Sequence, residues 1–362
     1  MNLNWFQYIV NSDELALWCE QNAKQYIVGI DTEFERRNTY FPELCLIQVS
    51  TRSSIACIDP LSCSSLEPLQ IFLTDPERVK VIHAARQDVE VLEQAGILIE
   101  ENLFDTQIAS LLCGEESPIG YGELVSTRLE VSIDKSEQFT NWKQRPLTEQ
   151  QLIYAADDVK YLLPLHEILS KKLKKLSRNA WLVEECNQLC KDGKSLPLTH
   201  AWKRLKNLTN MSRTEIERAC ALAVWREELA QKINIPRNWI VKDQEIKKLA
   251  VNSPSDEEAV INLMSKNKRF NSKWIKSILQ VLRDGISIDL GQLDEHRALS
   301  KDDRVKVRDL LETSQEIANN NNLSQSFFIS QREAKQIVTS SNPEKKVSAW
   351  RLRLLGDYFQ KT

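Results

Sequence analysis

The sequence predicts an α/β domain over residues 1–175, a mixed sheet flanked by helices, followed by two small all-helical modules. Three observations carry this prediction. The first 110 or so residues alternate short apolar runs with helical patterns, the rhythm of a sheet covered by helices. Within them, Tyr26–Phe34, Leu44–Val49 and Ile55–Ile58 follow one another through short, turn-like connections, as in an antiparallel meander. Beyond Leu169 the strand-like runs stop and helical periodicity takes over. A chain of 362 residues, 42% hydrophobic and 27% charged, has room for two or three domains with ordinary cores.

The run Tyr26-Ile-Val-Gly-Ile-Asp-Thr-Glu-Phe34 reads as a buried strand that ends in two carboxylates. Side chains alternate along a strand, so Asp31 and Glu33 share one face while Thr32 and Phe34 take the other. Two like charges at the end of a buried strand repel and resist desolvation, and a divalent cation relieves both penalties. By itself, an Asp-x-Glu at a strand end more often marks two acids meeting water. Further ligands must therefore come from elsewhere in the chain.

Next in order come a helix near 65–74, a strand at Val79–Ile82 and a helix from about Ala85 to Ala95. Asp88 falls in the first or second turn of that helix, where the helix dipole favours an acid whether or not it binds anything. Asp105 reads as a helix N-terminal acid and stays outside the candidate site. His83 closes the strand, and a satisfied structural histidine explains it better than a catalytic one. The helix opening at Thr148 carries a capping box to Gln151, with Leu147 and Leu152 placed as a hydrophobic staple. Leu152, Ala156, Val159 and Leu163 form its apolar stripe. Tyr154 and Asp158, four apart, share a face, whereas Asp157 points elsewhere and pairs with Lys160 at i, i+3. Asp158 is thus the expected inward acid, with Asp157 the less favoured alternative.

Lys171, Lys172, Lys174, Lys175 and Arg178 make a basic helix end, and the segment 176–208, with its Asp192-Gly193-Lys194 and Pro197 breakers, is expected to be a linker. Residues 209–290 and 291–362 are expected to form the two helical modules, the second interrupted by a loop at Asn319–Asn322. Formal net charge is -3, which excludes a globally basic nucleic-acid binder but not local basic faces. The eight cysteines include no Cys-x-x-Cys pair and most lie in apolar surroundings, as reduced core residues do. With no basic residue before Lys24 and no long apolar run, neither a signal peptide nor a membrane span is expected. A cytoplasmic monomer is the expectation.

Asp31, Glu33, Asp88 and Asp158 together form an all-oxygen donor set suited to magnesium or manganese. Four carboxylates can hold two ions about 4 Å apart, the arrangement used in phosphodiester hydrolysis. Tyr154 beside them could orient a water, although a phenol is a poor base at neutral pH.

Asp31-x-Glu33, Asp88 and Tyr154-x-x-x-Asp158 resemble, in order, the three exonuclease motifs of the DEDD superfamily in its tyrosine-containing branch. Longer stretches narrow the resemblance to the ribonuclease D family: Asp31-Thr-Glu-Phe34, His83-Ala-Ala-Arg-Gln-Asp88, Asp134-Lys-Ser-Glu137 and Arg145-Pro-Leu147. It covers the first 175 residues. Ala201–Lys206 and Pro236–Asp243 are similar to parts of an HRDC domain, and Ala349-Trp350-Arg351 resembles the family's second HRDC-like domain. The resemblance implies an RNase H-like fold and a 3′-to-5′ exoribonuclease that releases nucleoside 5′-monophosphates and trims the 3′ extensions of tRNA precursors. It implies that Asp31, Glu33, Asp88 and Asp158 bind two metal ions and that Tyr154 holds the nucleophilic water. Two departures concern the groove wall: Asn141 stands where Asp is expected, and Leu129-Glu130-Val131 lacks an expected glycine.

A basic face with Lys203, Arg204, Lys206, Arg213 and Arg218, together with His83, is the candidate RNA contact outside the metal set. A solvated helix face explains the same charges, and Trp202, Trp225 and Trp239 are more often core than base-stacking platforms. A DNA exonuclease of the same superfamily shares the acids, which do not discriminate sugars. A non-catalytic nucleic-acid-binding scaffold is expected to have lost a ligand, and none is missing here. A helicase accessory factor is disfavoured, since no phosphate-loop motif occurs.

Overall fold

The computed structural model describes residues 5–134, 136–193, 198–205, 208, 211–285 and 299–361. The expected α/β layer is present as a six-stranded mixed sheet in the order β1-β4-β3-β2-β5-β6. Its strands are β1 (Gln7–Ile9), β2 (Ile27–Glu35), β3 (Glu43–Ser50), β4 (Ile55–Ile58), β5 (Val79–Ile82) and β6 (Leu103–Asp105). The meander β2-β3-β4 is antiparallel, and β5 and β6 extend it in parallel on the other side of β2. The acidic strand β2 is therefore central. Its backbone is held on both sides, and Val28 and Ile30 are fully buried.

Gly29 shows how closely the helices approach. A Cβ there would lie 2.4 Å from Ser50 Oγ and 3.0 Å from Leu162 Cβ, so only hydrogen fits. The helices of this part are α1 (Ser12–Gln21), α2 (Glu67–Leu73), α3 (Arg86–Gln94), α4 (Thr106–Leu112), α5 (Tyr121–Leu129), α6 (Glu149–Lys160) and α7 (Leu162–Lys175). The Thr148–Gln151 capping box opens α6 as the sequence requires.

The expected linker is not one. Residues Asn179–Gly193 form helix α8, which places Leu182, Cys186 and Cys190 in the same apolar core as the sheet. The physical reason is an apolar i, i+4, i+8 stripe facing β6. After it, Leu198–Arg204 makes a 3₁₀ segment whose Trp202, with Leu205 and Leu208, enters the core of the following module. That module comprises α9 (Arg213–Lys232), α10 (Arg237–Ile240), α11 (Asp243–Asn252), α12 (Glu257–Met264) and α13 (Ile275–Asp284). It thus gathers its core from residues before the expected start at 209, while the expected boundary at 290/291 lies outside the described residues.

The module touches the α/β layer through polar groups. Asn234 Oδ1 accepts from the backbone N–H groups of Tyr40 and Phe41, both at 3.1 Å, in the connection that follows β2. The Tyr40 hydroxyl donates to Glu227 Oε1 at 2.6 Å.

The last helices, α14 (Lys301–Asn320), α15 (Gln325–Phe328), α16 (Gln331–Thr339) and α17 (Ala349–Lys361), attach differently. Leu310, Phe328, Ile337 and Trp350 belong to the apolar core shared with the sheet and α8. The Trp350 indole stacks on Trp181 of α8 with centroids 4.5 Å apart, and its Nε1 donates to Glu185 Oε1 at 2.7 Å. The asparagine run interrupts the helices later than its composition suggests: α14 runs through Asn320, and only Asn321 and Asn322 leave it.

Candidate active site

The helix α6 crosses the sheet so that Asp158 meets the end of β2. One carboxylate oxygen from each of Asp31, Glu33 and Asp158 lies within 4.8 Å of those of the other two. Asp157 stays outside and pairs with Lys160 at 3.3 Å, the arrangement that helical spacing assigns to it. The fourth acid, Asp88, sits beside this trio. It is buried at the first turn of α3, where Thr32 Oγ1 donates to its Oδ1 at 2.5 Å. Thr32 is the residue between the two strand acids on the opposite face, so one short strand segment presents two acids of the cluster and fixes a third.

The turn that delivers Asp88 is organised by Asp105. Ala84 adopts φ +55, a conformation that costs a residue with a Cβ about 1 kcal/mol. Asp105 offsets this by accepting from the backbone N–H groups of Ala84 and Ala85 as well as Gln107 and Ile108, at 2.8–3.2 Å. Its reading as a helix N-cap holds, and the contact across to Ala84 and Ala85 is what the sequence did not show.

Electrostatics mark the cluster as charged beyond what the fold compensates. Burial, and then Asp88, Asp158 and Glu33, push the Asp31 carboxyl well above its ordinary range. Burial followed by Asp158 and Asp88 raises Glu33 to about 9. Asp88 rises to about 7 through burial, moderated by its hydrogen bond from Thr32. The Tyr154 phenol hydrogen-bonds Asp158 and is held far above its usual pKa by burial and by that carboxylate, so it is a donor here and not a base. Trp142 packs its ring 6.0 Å from that of Tyr154. Converging oxygen donors with strained ionisation are the setting a hard divalent cation relieves, and the residues present fit one.

The other candidates fare differently. Both ring nitrogens of His83 are spent inside the fold, Nδ1 at 2.9 Å from Thr106 Oγ1 and Nε2 at 3.1 Å from the Ile119 carbonyl. That carbonyl only accepts, so Nε2 carries the proton, and burial lowers the imidazole pKa to about 4. No ring nitrogen is left over for RNA. Arg204 is ion-paired to the buried Glu227 and is not the open cation that the sequence suggested. Lys203 is exposed, its ammonium 5.8 Å from the Trp202 ring centroid, and Lys206 lies outside the described residues. Trp202 is core, Trp225 donates to Ser277 Oγ at 3.1 Å, and Trp239 lies beneath the Arg269 guanidinium.

Of the two departures, Asn141 still accepts through its Oδ1 from the Lys143 N–H, as Asp would. Glu130 ends α5 at φ +58, which explains why a glycine is suited to that position.

The chain matches a 3′-5′ exonuclease family model over residues 6–174 and an HRDC domain model over residues 203–282. The residues after 282 fall outside the HRDC match, so one HRDC domain is identified. Ribonuclease D of Bartonella henselae is 33% identical over 351 residues, covering 95% of this chain and 86% of the relative. Ribonuclease D of Jannaschia sp. is 42% identical over 252 residues, covering 68% and 65%. The crystal structure of Escherichia coli RNase D, an exoribonuclease involved in structured RNA processing, aligns with TM-score 0.87 and 27% identity over 100% of this chain and 98% of that one. Acid motifs, fold and full-length similarity converge: the chain belongs to the ribonuclease D family and is a 3′-5′ exoribonuclease.

Proposed function

We propose that this exoribonuclease belongs to the tyrosine-containing branch and trims the 3′ extensions of tRNA precursors and other small structured RNAs, releasing nucleoside 5′-monophosphates. Asp31, Glu33, Asp88 and Asp158 would hold two divalent cations, magnesium or manganese. Those ions, when bound, lower the pKa of a water and stabilise the charge on the departing 3′ oxygen. The protein's own contribution is placement. The hydrogen-bonded strand β2 fixes Asp31 and Glu33, Thr32 holds Asp88, and Tyr154, protonated and anchored on Asp158, orients the attacking water through its hydroxyl. The observation that carries this reading is the convergence of Asp31, Glu33 and Asp158 oxygens, with the ionisation of Asp31 and Glu33 suppressed.

The HRDC domain, and a second HRDC-like module at 291–362, would hold structured RNA while its 3′ end reaches the acids. The enzyme would act as a cytoplasmic monomer; among the described residues no helix is long and apolar enough to cross a membrane. The test is incubation with 3′-extended tRNA and magnesium, resolving products by length, beside matched RNA and DNA oligonucleotides. Stepwise shortening that stops with chelator is expected. Turnover in excess chelator would sink the metal scheme, and faster DNA hydrolysis would sink the RNA assignment.

A further inference from the structure

Gln48 is a buried uncharged side chain whose surroundings the scheme above does not explain. It sits in the middle of β3, fully buried, and neither the oxygen nor the nitrogen of its side-chain amide has a hydrogen-bond partner. Buried amides are almost always satisfied, and an apolar residue of similar size would fill the position without that penalty.

The sheet register says what the amide is next to. Gln48 lies directly opposite Asp31 on β2 and opposite Cys57 on β4. Directly opposed residues project to the same face, with Cβ atoms about 4.5–5.5 Å apart. Along β3 on that face its neighbours are Leu46 and Ser50, and the Ser50 hydroxyl is already committed to the Val159 carbonyl at 2.8 Å. Helix α6 covers the face with the small, apolar Ala155 and Ala156. Of the side chains flanking Gln48 across and along the sheet, Asp31 alone is a carboxylate.

We propose that Gln48 is a positioning residue for the metal site: its amide, opposite Asp31 and without a hydrogen-bond partner in this structure, donates to the Asp31 carboxylate when a divalent cation is bound and fixes the orientation that ligates it. The inference rests on the metal reading of the acid cluster. Carboxylates that bind metals are themselves commonly held by hydrogen bonds, and loss of such a partner weakens metal affinity by about 10–100-fold. A buried amide kept beside a ligand, in a place where leucine would pack better, fits that role.

The test measures Mn²⁺ binding by electron paramagnetic resonance, with the Tm of the metal-free protein alongside, for wild type, Asp31→Asn, Gln48→Leu and Gln48→Met. Methionine keeps the length of glutamine and adapts to the cavity if leucine's branch does not. The expected result is a Mn²⁺ Kd raised about tenfold or more in the Gln48 variants, with metal-free Tm unchanged or higher. Wild-type Mn²⁺ affinity in a folded Gln48 variant overturns the proposal and leaves the metal reading intact. Equal Mn²⁺ binding by wild type and Asp31→Asn overturns the metal reading, and the role of Gln48 falls with it.

Discussion

Two groups of buried acid lie on the same sheet and are treated in opposite ways. Asp59, just past β4 and fully buried, accepts from Arg145 Nε at 2.6 Å and Nη2 at 2.8 Å, from the Tyr8 hydroxyl at 2.8 Å and from the Leu61 N–H at 3.0 Å. Burial alone would raise its pKa, but the arginine and tyrosine bonds overcome this and hold it below the ordinary value. At the end of β2, by contrast, the strongest electrostatic neighbours of Asp31 and Glu33 are other carboxylates, and their pKa values climb. The fold can satisfy a buried acid completely. Where it leaves acids facing one another, the proposed divalent cations would supply the missing positive charge.

That contrast can be broken at either end. The largest effect is expected for Asp31→Asn, which should lower hydrolysis of RNA by about 1,000-fold or more, about 4 kcal/mol of transition-state stabilisation. Metal-free Tm should not fall, because the cost of burying a carboxyl among other carboxylates has been removed; a large drop in Tm would mean that Asp31 is structural. Arg145→Met should act the other way, costing about 3–5 kcal/mol in urea denaturation by stranding Asp59 as an unpaired buried charge. Adding Asp59→Asn to it should recover much of the loss, and a purely additive double mutant would contradict the pairing.

The pH dependence of stability should also have opposite signs at the two sites. Glu33 has a raised pKa, so the folded state holds a proton that the unfolded state has lost. Its contribution therefore declines as pH rises from about 4.5 to about 9. Asp59 has a lowered pKa, and its contribution is lost only as acid protonates it below the usual carboxylate range. Melting the metal-free protein from pH 5 to 9 should show Glu33→Gln gaining on wild type by several degrees towards the alkaline end, with the gap narrowing when Mg²⁺ is added. A pH-independent gap would remove the electrostatic explanation. The smallest effect is expected at Glu130→Gly, where relief of the left-handed backbone should add up to about 1 kcal/mol of stability with kcat unchanged.

Much of the site was legible because its signals are local. The alternation of β2 put Asp31 and Glu33 on one face, the capping box set the phase of α6, and that phase separated Asp158 from Asp157. The same reasoning failed for α8, where Gly193 and the charged run around it suggested a linker although Leu182, Cys186 and Cys190 carry a core stripe. Breaker residues report where a helix stops, and they do not report whether the helix before it is docked. Arg204 failed similarly, since its partner Glu227 is 23 residues away on α9 and no local pattern joins them.

By itself, then, the sequence determined the strand that ends in paired acids, the helix that supplies the third, and the family to which their order belongs. Each of these depends on spacing within one element, which the chain's own periodicity dictates. Only the tertiary structure decided the rest: Thr32 as the hydrogen-bond donor to Asp88, Asp105 as the brace of the turn before it, and the stacking of Trp350 against Trp181. It also decided that Gln48 lies across from Asp31. Those relations depend on which strand pairs with which and in what register, and pairing is set by the burial of whole faces, a quantity that no single stretch of sequence contains.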